Sequence, residues 1–495
     1  MEDYDRFVRL ATLTPEAAAA QRRTVFLAAP RFAIIATEPG RTLGESLARQ
    51  TYTNFILSDL SRRVDGDYYL FLPGGTRLAP DALFRLAMAA GGGEELLYAD
   101  EDVLLHGRRC RPRFKPDFSP HTLLSHDYMG RSLCVSRALL RAVGSWPGPD
   151  AAHRYAFTLR AAALAARVVH LPFVLFSLPA EAPCLDPWPL KRQLGDALIL
   201  PGPCPGTFLP RFSVRGEPLV SVIVSGAAGS DALKSTLLAV EQRMQLPRYE
   251  LIPAIGGPLT PFLRALRDRG VPVVRRPGAN PCTLWNEAAR FARGRFLLFL
   301  RGGVEPLSSD FGQRLTEWAG RPDIGAVAPL VQDSQGCVLS TGTVVGLFGG
   351  LGSPGFGLVE DRLRTVCPEL LCPRDVSCLP PWAMMIRRDR FLSGGGFDES
   401  LGYLGYAEEL CLRLRRRGLY SLCVPGVRFR LPALPDLRPD EANLRRCRDV
   451  FYPLLRTGDP FYDPNLSMVS PLPRPALPPR SPLLLHAPDH WPPFI

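Results

Sequence analysis

The sequence predicts an α/β protein with two similar domains in tandem and a proline-rich C-terminal segment. Three observations support this fold class: strand and helix patterns alternate along the chain, a long part of the pattern occurs twice, and the end of the chain is rich in proline. We place the boundaries at residues 1–180 for an abbreviated N-terminal domain, 181–217 for a Pro/Gly-rich connector, 218–432 for a C-terminal domain and 433–495 for the proline-rich extension.

The elements of the first domain follow from local patterns. Thr14 and Pro15 give a good start signal for a short alanine-rich helix. Apolar runs at 32–36 and 68–72 are typical of strands buried on both faces of a parallel sheet. Only a brief segment, 54–66, precedes the second of these strands, so we expect this domain to be abbreviated.

The second domain shows the alternation more completely. Buried strands are predicted at 219–225, 249–254, 271–274 and 296–300. Helices are predicted at 231–245 and 259–268, and a third helix begins near Thr283. This spacing indicates a doubly wound α/β domain.

The internal repeat indicates that the two domains arose by duplication. Residues 66–78, GDYYLFLPGGTRL, and 294–307, GRFLLFLRGGVEPL, share a glycine, an aromatic residue, Leu-Phe-Leu and Gly-Gly in the same order. Two further pairs keep that order, namely 135–146 with 386–397 and 157–172 with 410–425. Ligands of open α/β sheets bind beyond the carboxyl ends of the strands, so a site is expected after strand 296–300.

Composition narrows the class of protein. No apolar run approaches the ~20 residues of a membrane helix, and the charged N-terminus lacks a signal-peptide core. We therefore expect a cytoplasmic protein. The net charge of +11 comes almost entirely from arginine and favours anionic partners such as nucleotide phosphates or a lipid surface, whereas no segment is typical of a nucleic-acid arm. The cysteines show no zinc-binding spacing.

Six segments carry a resemblance to a known family. They are YADED (98–102), FKPDFSPHTLLSHDYMG (114–130), PLVSVIVS (218–225), WNEAARFARGRFLLFL (285–300), LCLRLRRRG (410–418) and DPFYDPNLS (459–467). The chain resembles, from about residue 32 to 467, the tandem bacterial glycosyltransferases of family 2 that are associated with rhamnan, O-antigen and other surface polysaccharides.

The resemblance implies two GT-A-like domains, the fold of nucleotide-diphospho-sugar transferases. It implies transfer of a sugar from a nucleotide-sugar donor to a cell-surface polysaccharide or lipid-linked acceptor, with partner glycosyltransferases and peripheral contact with the inner face of the cell membrane. The family uses Mg²⁺ or Mn²⁺ held by carboxylates after the central strand, and a further acid as general base. Here the central strands end instead in Pro73-Gly74-Gly75 and in Arg301-Gly302-Gly303. Glycine has no side chain to bind a metal, so no metal ligand is assigned.

The resemblance points to candidate catalytic residues at the start of the helix near 410. Glu409, with Glu408 as the alternative register, corresponds to the family's acidic pair and is the candidate base of the second domain. The alternative is that these acids only favour the N-terminal end of the helix dipole. The first domain has no carboxylate at the corresponding position.

Five further residues are candidates for substrate binding: Arg301, which would supply charge at the diphosphate, and Asn286, Glu305, Asp100 and Asp102. Asp100 and Asp102 either contact sugar or metal in the first domain or lie in a solvated turn. Asn286 lies either near the nucleotide or on a helix surface. Gly302-Gly303 is either a turn or a place where a phosphate approaches the backbone.

Two functions therefore remain open. The first is a family 2-like glycosyltransferase. The second is a degenerate pseudo-glycosyltransferase that binds a glycan or serves as a scaffold subunit, since the metal-binding carboxylates are missing from both domains.

Overall fold

The structure is a computed structural model that describes residues 2–59, 64–146, 148–226, 230–402, 404–432 and 441–479. Part of the predicted proline-rich extension, 433–440 and 480–495, therefore lies outside the described residues, as do residues 60–63 of the abbreviated segment. Among the described residues, each helix is too short or too polar to cross a membrane.

The first α/β unit, residues 32–178, is built on one mixed sheet. Its strands are β1 (Phe32–Ala36), β2 (Phe55–Ser58), β3 (Tyr68–Leu72), β4 (Arg77–Leu78), β5 (Leu96–Leu105), β6 (Arg108–Arg113), β7 (Leu133–Ser136) and β8 (Val168–Leu178). The order across the sheet is β2-β1-β3-β7-β5-β8-β4, with β6 paired to β5.

A connecting segment follows the first unit. It contains a helix and an antiparallel hairpin, β9 (Leu198–Pro201) with β10 (Phe208–Arg211). Ile199 and Phe208 are buried in the core of the first unit.

The second α/β unit, residues 220–430, is built on a larger mixed sheet. Its strands are β11 (Val220–Gly226), β12 (Tyr249–Ile255), β13 (Val274–Arg275), β14 (Phe296–Arg301), β15 (Glu305–Pro306), β16 (Ile324–Gln332), β17 (Val338–Ser340), β20 (Arg374–Val376), β21 (Ala383–Arg387) and β22 (Tyr420–Arg430), and a separate hairpin is formed by β18 (Val344–Val345) and β19 (Leu351–Gly352). The order is β13-β12-β11-β14-β21-β16-β22-β15.

The two sheets have the same topology. Apart from the extra strands β13 and β20 of the second sheet, each strand of the first sheet corresponds to one in the second, and every neighbouring pair keeps its parallel or antiparallel sense. Phe71 of β3 lies beside Ile35 of β1, and Phe299 of β14 lies beside Ile223 of β11. The predicted fold class of two tandem α/β domains is confirmed by this shared order.

The first unit is the shorter one. Its strands β2 and β3 are separated by residues 59–67, whereas residues 256–295 separate the corresponding strands β12 and β14 and supply two helices and strand β13. The predicted abbreviation is therefore confirmed. Strand β2 itself has no counterpart in the sequence prediction, because it has only four residues and their burial does not alternate: two are partly buried, Leu57 is exposed and Ser58 is buried.

Helices cover both faces of each sheet. They are α1 (Glu2–Leu10), α2 (Pro15–Arg22), α3 (Arg41–Leu47), α4 (Ala82–Ala90), α5 (Pro120–Leu123), α6 (Arg137–Val143), α7 (Ala151–Leu164), α8 (Trp188–Leu194), α9 (Asp231–Arg243), α10 (Pro261–Asp268), α11 (Pro281–Phe291), α12 (Phe311–Ala319), α13 (Glu360–Val366), α14 (Arg388–Ser393), α15 (Tyr406–Arg415) and α16 (Glu441–Thr457). Because both faces are covered, all residues of β1 are buried, which explains the unbroken apolar run.

The repeated glycine before each central strand has a steric cause. A Cβ at Gly66 would lie 2.8 Å from the backbone nitrogen and Cβ of Ala33. A Cβ at Gly294 would lie 2.6 Å from the backbone nitrogen of Ser221 and 2.5 Å from its Oγ. At both positions the chain before the central strand packs directly against the neighbouring strand of the sheet, β1 or β11. A residue without a side chain is therefore needed in both copies of the repeat.

We expect Gly294→Ala to destabilise the protein by about 1–3 kcal/mol, the usual cost of overpacking. The added methyl group would collide with Ser221, whose Oγ accepts a hydrogen bond from the Gly294 amide at 2.8 Å. Urea unfolding measures the effect. The control is Gly44→Ala in helix α3, where the new Cβ meets no atom within 4 Å. That variant should be as stable as the parent or slightly more stable, and equal losses in both variants would contradict the steric explanation.

Candidate functional site

The carboxyl ends of three parallel strands meet at one edge of the second sheet. Strands β12, β11 and β14 are parallel neighbours and end at Ile255, Gly226 and Arg301. Open α/β sheets bind ligands at this edge. The predicted site after strand β14 is therefore the candidate functional site.

The Gly302-Gly303 turn is held tightly against helix α9. The Gly302 amide donates to the Ser225 carbonyl at 2.8 Å, and the Gly303 amide donates to the Ala232 carbonyl and to Thr236 Oγ1 at 2.9 and 2.8 Å. Gly303 has a φ of +96°, a conformation that suits glycine. Since both amides are used within the fold, the turn interpretation holds, and these amides are not available to a phosphate.

Arg301 begins this turn, and its charge acts on Tyr406 in the first turn of helix α15. Burial raises the pKa of Tyr406 well above its usual value, and the charge of Arg301 lowers that pKa while Glu408 raises it further. The Tyr406 hydroxyl lies 3.3 Å from the Pro381 carbonyl, while the Arg301 amide donates to the Trp382 carbonyl at 2.9 Å. The fold thus brings the strand-end arginine and the first turn of helix α15 together.

Glu408, in the first turn of helix α15, is a buried acid. Its residue surface is 4% exposed, and its Oε2 atom is buried with no hydrogen-bond partner among the described residues. Burial raises the pKa of Glu408 to about 7, against the lowering effect of its own backbone amide. A base is most effective when its pKa lies near the working pH.

Glu409, the residue that the sequence favoured as base, is committed to an ion pair. Both of its carboxylate oxygens accept hydrogen bonds from Arg413, at 2.7–3.0 Å. Arg413 also donates to the carbonyls of Gly394 and Gly396. This arrangement fixes the loop before helix α15, so Glu408 is the better candidate of the two.

Asn286 and Glu305 have structural partners. The Asn286 side chain is buried and brackets the Phe397 backbone, accepting from its amide at 2.8 Å and donating to its carbonyl at 2.9 Å and to Glu399 at 3.0 Å. The helix-surface interpretation of Asn286 is therefore wrong, because burial forces its amide to pair within the fold. Glu305 accepts from Arg430 at 2.7 Å.

The strand end does not offer a carboxylate pair for Mg²⁺ or Mn²⁺. Gly302 and Gly303 occupy the positions after the strand, and Glu305 is a single acid already paired with an arginine. A divalent ion bound to a diphosphate usually takes one or two protein carboxylates. The described residues at this edge therefore do not fit the family's metal, and we derive no step through it.

The acidic cluster of the first unit lies inside the protein. Asp100, Glu101 and Asp102 belong to the long strand β5 and are at most 2% exposed, so the solvated-turn interpretation is wrong. Asp102 accepts hydrogen bonds from the Tyr4 hydroxyl and from Arg109 Nε. These side chains are turned toward buried partners rather than toward a substrate.

Asp100 has partners that the sequence did not connect with it. Its Oδ1 accepts from the Lys115 amide at 3.0 Å and lies 2.9 Å from His170 Nε2. Asp463, in the DPFYDPNLS segment, lies beside the same imidazole. Both segments carried the family resemblance, but residues hundreds of positions apart give no periodic signal that would reveal a contact.

Comparisons with known proteins identify relatives of part of this architecture. No protein-family model matches the chain. The chain is similar to the O-antigen biosynthesis protein RfbC of Myxococcus xanthus, with 30% identity over 435 residues, 82% of this chain and 34% of that protein. It is also similar to the uncharacterised protein y4gI of Sinorhizobium fredii, with 26% identity over 444 residues, 81% of this chain and 49% of that protein.

Solved structures show weaker likeness. A structure of GalNAc-T7 with UDP, GalNAc and Mn²⁺ matches 48% of this chain and 48% of its own, with a TM-score of 0.36 and 16% identity. The mannosyltransferase PcManGT of Pyrobaculum calidifontis, in complex with GDP-Man and Mn²⁺, matches 56% of this chain and 73% of its own, with the same score and identity. The chain spans about a third to a half of the length of the curated relatives that it matches. One of these relatives is the O-antigen biosynthesis protein.

Proposed function

We propose that the protein is a glycosyltransferase of the family 2 type, with GT-A-like domains, that transfers a sugar from a nucleotide-sugar donor to a surface polysaccharide or its lipid-linked precursor. The similarity to an O-antigen biosynthesis protein over most of this chain supports this function. The observation that carries the proposal is the buried Glu408, whose pKa burial raises to about 7, in the same first helical turn as Tyr406, on which the charge of the strand-end Arg301 acts.

The second unit would carry the chemistry. Glu408 in its ionised form would take the proton from the acceptor hydroxyl as that oxygen attacks the sugar. Arg301 would lie near the departing diphosphate and offset its negative charge, which a guanidinium does well because it hydrogen-bonds phosphate oxygens through two nitrogens. The nucleotide diphosphate leaves with the bonding electrons of the broken sugar–oxygen bond. The first unit, whose corresponding strand ends in Pro73-Gly74, would support this site without a reaction of its own.

One observation favours the alternative of a glycan-binding or scaffold subunit. The Gly302-Gly303 amides are fully used by the Ser225, Ala232 and Thr236 contacts, and no carboxylate pair follows the strand. A pseudo-glycosyltransferase would bind a glycan or a partner transferase through the same edge without turnover. Peripheral contact with the inner membrane face, where lipid-linked acceptors are found, fits the arginine excess in either case.

Calorimetric titration with a panel of nucleotide sugars, with and without Mn²⁺, tests the proposal. We expect weak binding of one donor that changes little with the metal, and slow release of its nucleoside diphosphate. The matched variant is Arg301→Gln, which should weaken donor binding because it removes the charge at the strand end. Binding of glycan fragments without binding of any donor would support the scaffold alternative. Tight, metal-dependent donor binding would contradict the absence of metal ligands at this edge.

A further inference from the structure

A second group of side chains, far from the proposed transfer site in sequence, has the composition of a metal centre. Asp100 of β5, His170 of β8 and Asp463 of the C-terminal segment each offer one ligand atom, and these atoms all lie within 4.8 Å of one another. Among the described residues this is the one group of three or more His, Cys, Asp or Glu side chains with that geometry. The side chains are at most 1% exposed.

Two oxygen atoms of this group lack a hydrogen-bond donor. The Oδ2 atoms of Asp100 and Asp463 are both buried and make no hydrogen bond among the described residues. Their other oxygens are satisfied: Asp100 Oδ1 accepts from the Lys115 amide at 3.0 Å, and Asp463 Oδ1 accepts from the Asn465 amide at 2.6 Å. A buried carboxylate oxygen without a partner is costly, and two such oxygens in one place need a positive charge between them.

His170 has one ring nitrogen on a carboxylate outside the cluster and the other inside the cluster. Its Nδ1 lies 3.2 Å from Asp117 Oδ1, and its Nε2 faces the cluster, 2.9 Å from Asp100 Oδ1 and 3.9 Å from Asp463 Oδ2. A metal-bound histidine commonly donates its other ring N–H to a carboxylate, which fixes the tautomer and leaves the remaining nitrogen free to bind the metal. Tyr98 stacks on the imidazole with ring centroids 5.0 Å apart and holds the ring in this orientation.

Lys115 does not supply the missing charge. Its ammonium group donates to the Met129 carbonyl at 2.7 Å and lies 3.2 Å from Glu101. The positive charge near the two oxygens can therefore come from a bound ion, from a proton shared between the two carboxylates, or from an imidazolium at His170, whose Nε2 lies 2.9 Å from Asp100 Oδ1.

We propose that Asp100, His170 and Asp463 form a buried structural site for a divalent cation of the zinc type. One imidazole and two carboxylates are ligands that zinc accepts, and the burial of the cluster suits the low coordination number of zinc better than the several waters that Mg²⁺ retains. The two positive charges of the ion balance the two ionised carboxylates, while the imidazole binds as a neutral ligand. This inference does not depend on the transfer activity.

The proposed ion would fasten the C-terminal segment to the first unit. Asp463 follows helix α16, which comes after the second unit, whereas Asp100 and His170 belong to the first sheet. The neighbouring backbone makes the same connection, because the Asp117 amide donates to the Pro460 carbonyl and Asn465 Nδ2 donates to the Pro172 carbonyl, both at 2.8 Å. The ion would therefore join parts of the chain that only the complete fold brings together.

Metal analysis of the full chain tests this proposal. The protein, purified without a histidine tag, is incubated with excess Zn²⁺, freed of unbound metal and measured by mass spectrometry of the elements. We expect one equivalent of zinc in the parent and in the control His126→Gln, a half-buried histidine outside the cluster, and none in Asp463→Asn. Removal of zinc with a chelator should lower the melting temperature of the parent by several degrees and leave that of Asp463→Asn unchanged.

The Asp463→Asn variant also distinguishes a bound ion from a proton shared between the two carboxylates. If Asp100 and Asp463 only share a proton, the amide of Asp463→Asn can still donate a hydrogen bond to Asp100. In that case the parent binds no zinc and the variant is as stable as the parent. These two results together would overturn the proposal. Zinc retained by Asp463→Asn would overturn it as well. If the variant does not fold, X-ray absorption of the zinc-loaded parent decides: a first shell of nitrogen and oxygen with one imidazole supports this site, and sulfur ligands contradict it.

Discussion

Replacing Glu408 by glutamine should lower turnover of the nucleotide sugar by about 10²–10⁴-fold, the range that a lost general base usually costs. Glutamine has nearly the same shape but cannot take a proton, so donor affinity should stay unchanged. The rate of nucleoside diphosphate release in the presence of acceptor, together with calorimetric donor binding, measures the two effects separately. A loss of binding and turnover together would point to a damaged fold instead.

The pH profile of the parent gives an independent check. Burial raises the pKa of Glu408 to about 7, and only the ionised carboxylate can accept the proton. The rate should therefore rise with pH below about 7 and level off above that value. In Glu408→Gln the residual rate should lack this rise.

Glu409→Gln is the matched control for Glu408→Gln. Glu409 is paired with Arg413, and the neutral amide would weaken that pair while leaving Glu408 in place. We expect nearly full turnover with somewhat lower stability. The assignment of the base would be reversed if Glu409→Gln lost activity and Glu408→Gln kept it.

Replacing His121 by alanine should destabilise the protein by about 3–5 kcal/mol, the usual cost of leaving a buried charge without its partner. His121, in the FKPDFSPH segment of the first unit, has its Nδ1 2.7 Å from Asp375 Oδ1 and its Nε2 3.0 Å from Asp323 Oδ2, both in the second unit. Asp375 also accepts from the amides of His121 and Thr122, at 2.9 and 3.0 Å. Without the imidazolium, the fully buried Asp375 keeps only these amides and the Thr122 hydroxyl.

Urea unfolding of His121→Ala beside His153→Ala measures this effect. His153 also lies 2.7 Å from an aspartate, Asp150, but that pair is exposed, so its loss should cost well under about 1 kcal/mol. Equal losses in the two variants would show that the buried position does not matter and would contradict the role of His121 in joining the units.

The same network sets a pH dependence. Burial opposes the charge of His121, but Asp375 and Asp323 outweigh it and raise the pKa to about 9 from 6.5. Because the pKa of His121 is higher in the folded state than in the unfolded state, its contribution to the free energy of unfolding is complete below pH 6.5. That contribution is lost as the pH rises through 9. Burial also opposes ionisation of Asp323, but the hydrogen bond and charge of His121 lower its pKa below the usual value, so that contribution is lost only in acid. Unfolding free energy should fall between pH 6.5 and 9 in the parent, and much less in His121→Ala.

Much of the fold could be predicted because its causes are local. The apolar run of strand β14, the helix predicted to begin near Thr283 and the repeated glycine before each central strand are all short-range patterns, and the duplicated order gave the tandem arrangement. The structure starts that helix at Pro281, two residues earlier than predicted. Strand β2 was not predicted because it has only four residues and their burial does not alternate.

The side-chain partners could not be predicted in the same way. Glu408 and Glu409 are neighbours in sequence and look equivalent there, yet one is buried without a partner at Oε2 and the other is paired with Arg413. Helical geometry turns adjacent residues about 100° apart, so what surrounds each is decided by the elements that pack on either side.

The sequence alone thus determined two similar α/β domains in tandem, a candidate strand-end site that lacks a carboxylate pair, and the segments that carry the family resemblance. Only the tertiary structure decided that Asp100 faces His170 and Asp463, and that His121 joins Asp375 and Asp323. The physical reason is that strand and helix patterns arise from neighbouring residues, whereas the pairing of buried charges depends on contacts between residues far apart in the chain. Those contacts exist only after both sheets and the C-terminal segment have packed together.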